Sequence, residues 1–186
     1  MEKPPPLAIP ALHQFFLGLT RRCFHELAVG DDTVIAYVAA VLTEFARSDR
    51  LYVLRTRRGR AVDSVADMRR AADPTGAMRA RAARKYIGDY SLFMTGLFRT
   101  HVASRGALDY YVEEGQRSYR DVSELDLSLF RTGFLLFEQL AKNFEDYSGA
   151  LDYMRKAHFV RSGDQRPFAQ FLKDVEGWMR TGLSDN

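Results

Sequence analysis

Apolar residues recur at steps of three and four along most of the chain, and short polar or glycine-containing breaks separate these stretches. Such spacing puts the apolar side chains on one face of a helix, so each stretch is predicted to form an amphipathic helix. Each helix must bury its apolar face against others. The 186 residues are therefore predicted to form an all-α fold, a single-domain bundle of six or seven helices over 1–186.

The first two helices have clear ends in the sequence. The stretch "ALHQFFLGLTRRCFHELAVGD" predicts a helix that stops at Gly30, because glycine is a common helix terminator. Asp31, Asp32 or Thr33 then caps a second helix, whose apolar pattern fades after Phe45.

The later helices are predicted from the same periodicity. Further helices are predicted over about 75–98, 107–122 and 166–181, with a brief helix starting near Ser64. A stripe of Leu129, Leu136, Leu140 and Phe144 predicts another helix, which either continues past Gly149 or breaks there. The segment 51–62 is ambiguous, since "LYVLRT" has β-branched and aromatic character, and a short hairpin is the alternative there.

Composition and charge narrow the classes of function only slightly. Apolar residues make up 46% of the chain, with 13 Phe and 9 Tyr, which is typical of a globular core and not of a disordered chain. The net charge is only +3, but the segment from Arg55 to Lys85 is strongly basic. This basic patch either contacts phosphate or an acidic partner, or is simply a solvated surface. Its arginines are Arg55, Arg57, Arg58, Arg60, Arg69 and Arg70.

The single cysteine, Cys23, has no partner for an internal disulfide, and no apolar run approaches the roughly 20 residues that cross a bilayer. The start of the chain also lacks the layout of a secretory signal. A cytoplasmic protein without a membrane association is therefore predicted. Cys23 falls on the apolar stripe of the first helix, where a buried thiol acts as a small hydrophobe.

The common motifs for metals, cofactors and nucleophilic catalysis are missing from the sequence. The four histidines are widely separated and form neither Glu-x-x-His nor His-x-x-x-His pairs, so any metal site would have to be assembled from distant elements. No nucleophile elbow and no phosphate-binding glycine loop is present. The sequence predicts no metal, no cofactor and no catalytic residue.

One acidic residue stands out in "KYIGDYSLFMTGLFRT", because Asp89 interrupts an apolar and aromatic helix. Tyr86 lies three residues before Asp89 and Phe93 four residues after it, and Tyr90 lies at the same steps from these two, so the helix puts aromatic side chains around the carboxylate. A carboxylate held there needs partners, since burying an unpaired charge is very costly. Asp89 is therefore either a structural tie to an arginine or tyrosine hydroxyls, or part of a ligand pocket. The candidate ligand-binding residues are Asp89, Tyr86, Tyr110, Tyr111 and Tyr119.

Three glycines lie inside predicted helices: Gly88, Gly96 and Gly115. Each costs up to about 1 kcal/mol of helix propensity relative to alanine. Close approach of a neighbouring element, or a helix break, is the expected reason for each of them.

The same region carries a resemblance to a known family. Its pattern is Tyr86, Gly88-Asp89, Leu92-Phe93, Gly96-Leu97-Phe98, Tyr110-Tyr111, Gly115 and Tyr119. The pattern resembles that of a family of uncharacterised bacterial all-helical proteins. The resemblance covers Tyr86 to Tyr119 and implies a common helical core; it implies no activity and no catalytic residue.

Three hypotheses of function follow. The first is a non-catalytic binding or adaptor protein that self-associates as a homodimer through an apolar helix face. The second is a small-molecule binder or enzyme with an aromatic pocket near Asp89, Tyr110 and Tyr111. The third is a nucleic-acid-associated protein that neutralises phosphates through the arginine-rich segment 55–85.

Overall fold

The computed structural model describes residues 9–46, 65, 66, 68 and 76–159. These residues contain seven α-helices, followed by one π-helical turn, and no strand. The predicted all-α bundle is confirmed. The helices are α1 (Ile9–Glu26), α2 (Asp32–Phe45), α3 (Ala77–Leu97), α4 (Arg99–Ser104), α5 (Leu108–Ser128), α6 (Phe134–Lys142) and α7 (Phe144–Met154), and the π-helical turn is Arg155–Phe159.

Helices α1 and α2 form an antiparallel pair whose junction follows from the sequence. Of the three predicted caps, Asp31 is the one used: its Oδ1 accepts hydrogen bonds from the backbone amides of Thr33 and Val34, both at 2.9 Å. These bonds satisfy two amides that have no partner within the helix. Cys23 is fully buried on the inner face of α1, as its place on the apolar stripe predicted.

Helix α3 is the centre of the fold. All residues from Ile87 to Leu97 are buried, so this part of the helix is enclosed on every side. It packs mainly along α5, with α7 and α2 on its other sides, while α1 lies against α2 and α7. Because α3 is enclosed, any polar side chain on it must find its partners inside the protein.

The prediction for the stretch after α5 was partly wrong. Leu129 was placed on a helical stripe with Leu136, but α5 ends at Ser128 and Leu129 begins a turn. Phe130 adopts a left-handed backbone with φ of 52°, and the Arg131 amide donates to the carbonyl of Asp126 at 2.8 Å, which closes the helix end.

A second break at Asn143 separates α6 from α7, and α7 then continues through Gly149.

The three predicted close approaches are confirmed. A Cβ built on Gly88 would lie 2.7 Å from the ring of Tyr119, and one on Gly96 would lie 2.5 Å from the Cβ of Leu151. A Cβ on Gly115 would overlap the ring of Phe144. The glycines let α3, α5 and α7 lie against one another at close range.

We expect Gly115→Ala to destabilise the fold by about 1–3 kcal/mol, because the added methyl group meets a fully buried ring that has little room to move. Gly149→Ala is the matched control, since Gly149 is exposed inside α7 and has nothing within 4 Å of a built Cβ. There alanine should stabilise by up to about 1 kcal/mol through helix propensity. Urea unfolding followed by circular dichroism measures both, and equal stability of the two variants would refute the close contact.

Several predictions fall outside the described residues: the hairpin at 51–62, the helix start at Ser64 and the last helix at 166–181. Val65 and Met68 are described, and both are buried in the core. Among the described helices, none combines the length and the apolar character needed to cross a bilayer.

Candidate functional site

Asp89 joins three helices through its carboxylate. It lies on α3 and is only 6% exposed. Its Oδ1 accepts hydrogen bonds from the hydroxyls of Tyr37 on α2, at 2.6 Å, and Tyr119 on α5, at 2.9 Å. Its Oδ2 accepts from the Nζ of Lys85, one helical turn earlier, at 2.6 Å. Both oxygens thus have hydrogen-bond partners on α2, α3 and α5, which is the geometry expected of a structural tie. The interpretation of Asp89 as part of a ligand pocket stays a prediction.

Both tyrosine hydroxyls of this cluster remain protonated. Burial, followed by the nearby charge of Asp89, raises the pKa of Tyr37 well above its usual range. The same two causes raise the pKa of Tyr119. Each hydroxyl therefore keeps its proton and can donate a hydrogen bond to Asp89 over the whole physiological pH range.

Aromatic rings enclose the cluster on the side of α6. The ring of Phe137 lies 5.5 Å from that of Tyr37 and 5.9 Å from that of Tyr119. Lys85 is also held over the face of Tyr37, with Nζ 5.1 Å from the ring centre. Lys85 is therefore fixed from two sides, by the carboxylate of Asp89 and by an aromatic ring.

One turn before Lys85 on α3, Arg81 makes a second tie to α5. Its Nε and Nη2 donate to the two oxygens of Asp126 at 2.5 Å and 2.7 Å, and the Asp126 side chain is fully buried. Arg131 also reaches Asp126, at 3.1 Å. The hydrogen bonds from Arg81 lower the pKa of Asp126, so the carboxyl is ionised at neutral pH.

A pocket of about 300 Å³ opens between α2 and α3 beside this cluster. Its polar lining includes Lys85, Asp89, Arg81, Glu44 and the Tyr37 side chain. The rest of its wall is apolar or aromatic, and consists of Ala40, Val41, Phe45, Ala82 and Tyr86. An apolar cavity with a few converging polar groups is the usual form of a small-molecule site.

The structure brings together only some of the residues that the sequence suggested. Asp89 and Tyr86 line the pocket, and Tyr119 bonds to Asp89. Tyr110 is 39% exposed and packs edge-on against Tyr111, with ring centres 6.4 Å apart. Neither Tyr110 nor Tyr111 lines the pocket or bonds to Asp89.

Sequence reasoning missed Tyr37, Lys85, Arg81 and Asp126. Lys85 had a detectable signal, because it precedes Asp89 by four residues on the same helix, a spacing that favours an ion pair. Tyr37 and Asp126 come from other helices, 52 residues from Asp89 and 45 residues from Arg81 respectively. No local pattern connects positions so far apart.

The six arginines of the basic patch, Arg55, Arg57, Arg58, Arg60, Arg69 and Arg70, lie outside the described residues. Nucleic-acid binding through them stays a prediction.

Comparison with known proteins identifies no relative of this chain. No family model matches the chain, and searches of curated proteins and of solved structures return no match. The resemblance of Tyr86 to Tyr119 to a bacterial helical family stays a prediction.

Proposed function

We propose that the protein binds a small organic acid in the pocket beside Asp89, and that the head group of this acid contacts Lys85 and Arg81. The observation that carries the proposal is the pocket itself: Lys85 and Arg81 line it, each held in place by a carboxylate, and share it with Asp89, Glu44 and an aromatic and apolar wall. No reaction is assigned to the site. Asp89 accepts hydrogen bonds from Tyr37, Tyr119 and Lys85, and the role assigned to it here is to orient Lys85.

Unused hydrogen-bond donors favour an acidic ligand. The ammonium group of Lys85 has three N–H donors and gives one to Asp89. Arg81 uses Nε and Nη2 for Asp126, which leaves its Nη1. A carboxylate could accept hydrogen bonds from both cations at once. Because Asp89 and Asp126 already hold the two side chains in position, little entropy is lost when a ligand binds them.

The size of the pocket limits the ligand. Its volume of about 300 Å³ lies at the lower end of the range for small-molecule sites. Phe45 and Tyr86 supply aromatic surface for a ring or a short alkyl chain. The ligand is therefore expected to be a small acid with one apolar portion.

A panel of small aromatic carboxylates, each paired with its amide, tests the proposal by thermal unfolding. At a concentration of 100 Kd a bound acid should stabilise the fold by about 2.7 kcal/mol, which corresponds to roughly 5–10 °C in Tm for a chain of this size. The matching amides have the same shape but no charge, and should give little shift. If acids and amides shift Tm equally, or no acid shifts it, the proposal is wrong.

Native mass spectrometry of freshly purified protein, beside its denatured mass, would identify a natural ligand. A retained mass that belongs to a small acid supports the proposal. A retained mass of a cationic molecule argues against it, because a positive charge could not be held by the proposed contacts to Lys85 and Arg81.

The proposal includes a cytoplasmic location. Its support is the single cysteine, Cys23, which cannot form an internal disulfide and is buried in the core.

The second candidate function is that of a non-catalytic binding or adaptor protein that self-associates as a homodimer. It is favoured by the corner between α5 and α6, where Phe130 is 96% exposed next to Leu127, Leu129 and Leu135. A second copy of the chain could cover these side chains. Sedimentation analysis of the wild type and of Phe130→Ser tests this candidate. A wild-type dimer that the substitution dissociates is expected, and a wild-type monomer at all concentrations would contradict it.

A further inference from the structure

Three side chains with metal-ligating atoms meet at the end of α1, away from the Asp89 pocket. Cys23 and Glu26 are three residues apart on α1 and therefore share one face of the helix. His158 comes from the π-helical turn that follows α7. Their ligand atoms all lie within 4.8 Å of one another. The fold thus brings together possible metal ligands from distant parts of the chain, which any metal site in this sequence would require.

The spacing of these atoms suits an ion better than direct contact. Among the described hydrogen bonds and ion pairs, none joins Cys23, Glu26 and His158 to one another, although their ligand atoms lie within 4.8 Å of one another. Around a tetrahedral zinc ion, ligand atoms are roughly 3.4–3.6 Å apart, given Zn–S of about 2.3 Å and Zn–N or Zn–O near 2.1 Å. From separations of at most 4.8 Å, each atom would have to move by no more than about 1 Å to bind the ion.

The three side chains differ in exposure, so an ion could reach the cluster from solvent at Glu26. Cys23 is fully buried, His158 is half-buried and Glu26 is exposed. The hydroxyl of Tyr153 donates to Oε2 of Glu26 at 3.2 Å, which leaves Oε1 for another partner. Hydrogen bonds of this kind commonly orient the carboxylates that bind metals.

We propose that Cys23 Sγ, a ring nitrogen of His158 and a carboxylate oxygen of Glu26 bind a zinc ion, with the fourth position open to water or an added ligand. Thiolate and imidazole ligands with one carboxylate are a donor set that zinc prefers. Binding releases the thiol proton to solvent, since the thiolate is the form that coordinates the metal. The ion would link α1 to the turn after α7.

Cobalt(II) titration of the reduced, tag-free protein tests the site. We expect a thiolate-to-cobalt charge-transfer band together with the visible bands of tetrahedral cobalt, and both should disappear when zinc is added. Absence of a charge-transfer band at excess cobalt would overturn the proposal.

Variants identify the ligands. His158→Gln should lower zinc affinity at least about tenfold, and Cys23→Ala should remove the charge-transfer band. His25→Gln is the matched control, because His25 is an exposed histidine of the same helix that does not belong to the three. Circular dichroism verifies that each variant is folded. Equal zinc affinity of wild type and folded His158→Gln would overturn the assignment.

Discussion

Asp89→Ala is expected to destabilise the protein by about 3–5 kcal/mol. The substitution leaves the hydroxyls of Tyr37 and Tyr119 without their acceptor, at a cost of about 1–3 kcal/mol for each buried group. It also removes the ion-pair partner of Lys85. Chemical denaturation monitored by circular dichroism gives the free energy of unfolding for the comparison with wild type.

Asp89→Asn separates the charge of this residue from its shape. The asparagine oxygen can still accept from both tyrosines, while the ion pair with Lys85 is lost, so a smaller cost of about 1–2 kcal/mol is expected. An alanine variant as stable as the wild type would mean that Asp89 does not tie the helices together.

Asp126→Ala is also expected to lower the free energy of unfolding by about 3–5 kcal/mol. It removes a fully buried carboxylate that accepts two hydrogen bonds from Arg81 and leaves the guanidinium without this partner. Asp121→Ala is the matched control. Asp121 lies on the same helix and pairs with Arg84 of α3 at 3.3 Å, but both side chains are about a third exposed. Such a pair contributes at most about 1 kcal/mol. Equal losses of unfolding free energy in the two variants would show that burial of Asp126 does not strengthen its ion pair with Arg81.

The pH dependence of the same pair follows from the sign of its pKa shift. The folded-state pKa of Asp126 is lowered, chiefly by its hydrogen bonds to Arg81. Its stabilisation is therefore fully present above the ordinary aspartate pKa of about 3.9, and is lost as the pH falls toward the lowered value. The difference in unfolding free energy between wild type and Asp126→Asn should be constant from pH 7 to about 5 and shrink below about pH 4. A difference that grows with acidity would contradict the assignment.

Much of the fold was predictable because local signals and packing agreed. The apolar stripes located α1, α2 and α3, and the capping preference of aspartate marked the start of α2 at Asp31. The exception is the stretch from Leu129 to Phe144, where periodicity alone extended a helix across two breaks. The first break comes where Phe130 adopts a left-handed backbone. Glycine is the usual residue in this conformation, and because the position holds phenylalanine the sequence did not indicate a break there.

The site was only half predictable, for a different reason. Asp89 was identifiable as a charge in an apolar helix, and Tyr119 was among the suggested partners. Tyr110 and Tyr111 share the helix α5 with Tyr119 but point elsewhere. Which tyrosine meets Asp89 depends on the rotation of α5 against α3, which the packing of Gly88 and Gly115 sets. The hydrogen bond from Tyr37 depends on α2 lying beside α3, and this tertiary packing cannot be predicted from local sequence patterns.

The most direct test of the central claim is the dissociation constant of the panel acid that raises Tm most, measured by titration calorimetry for three proteins. Lys85→Gln removes one of the two cations that line the pocket, whereas Arg84→Gln removes the same charge one residue away, from a side chain that does not line it. We expect at least about tenfold weaker binding to Lys85→Gln, which is about 1.4 kcal/mol, and unchanged binding to Arg84→Gln. Equal dissociation constants for wild type and Lys85→Gln would contradict the proposal.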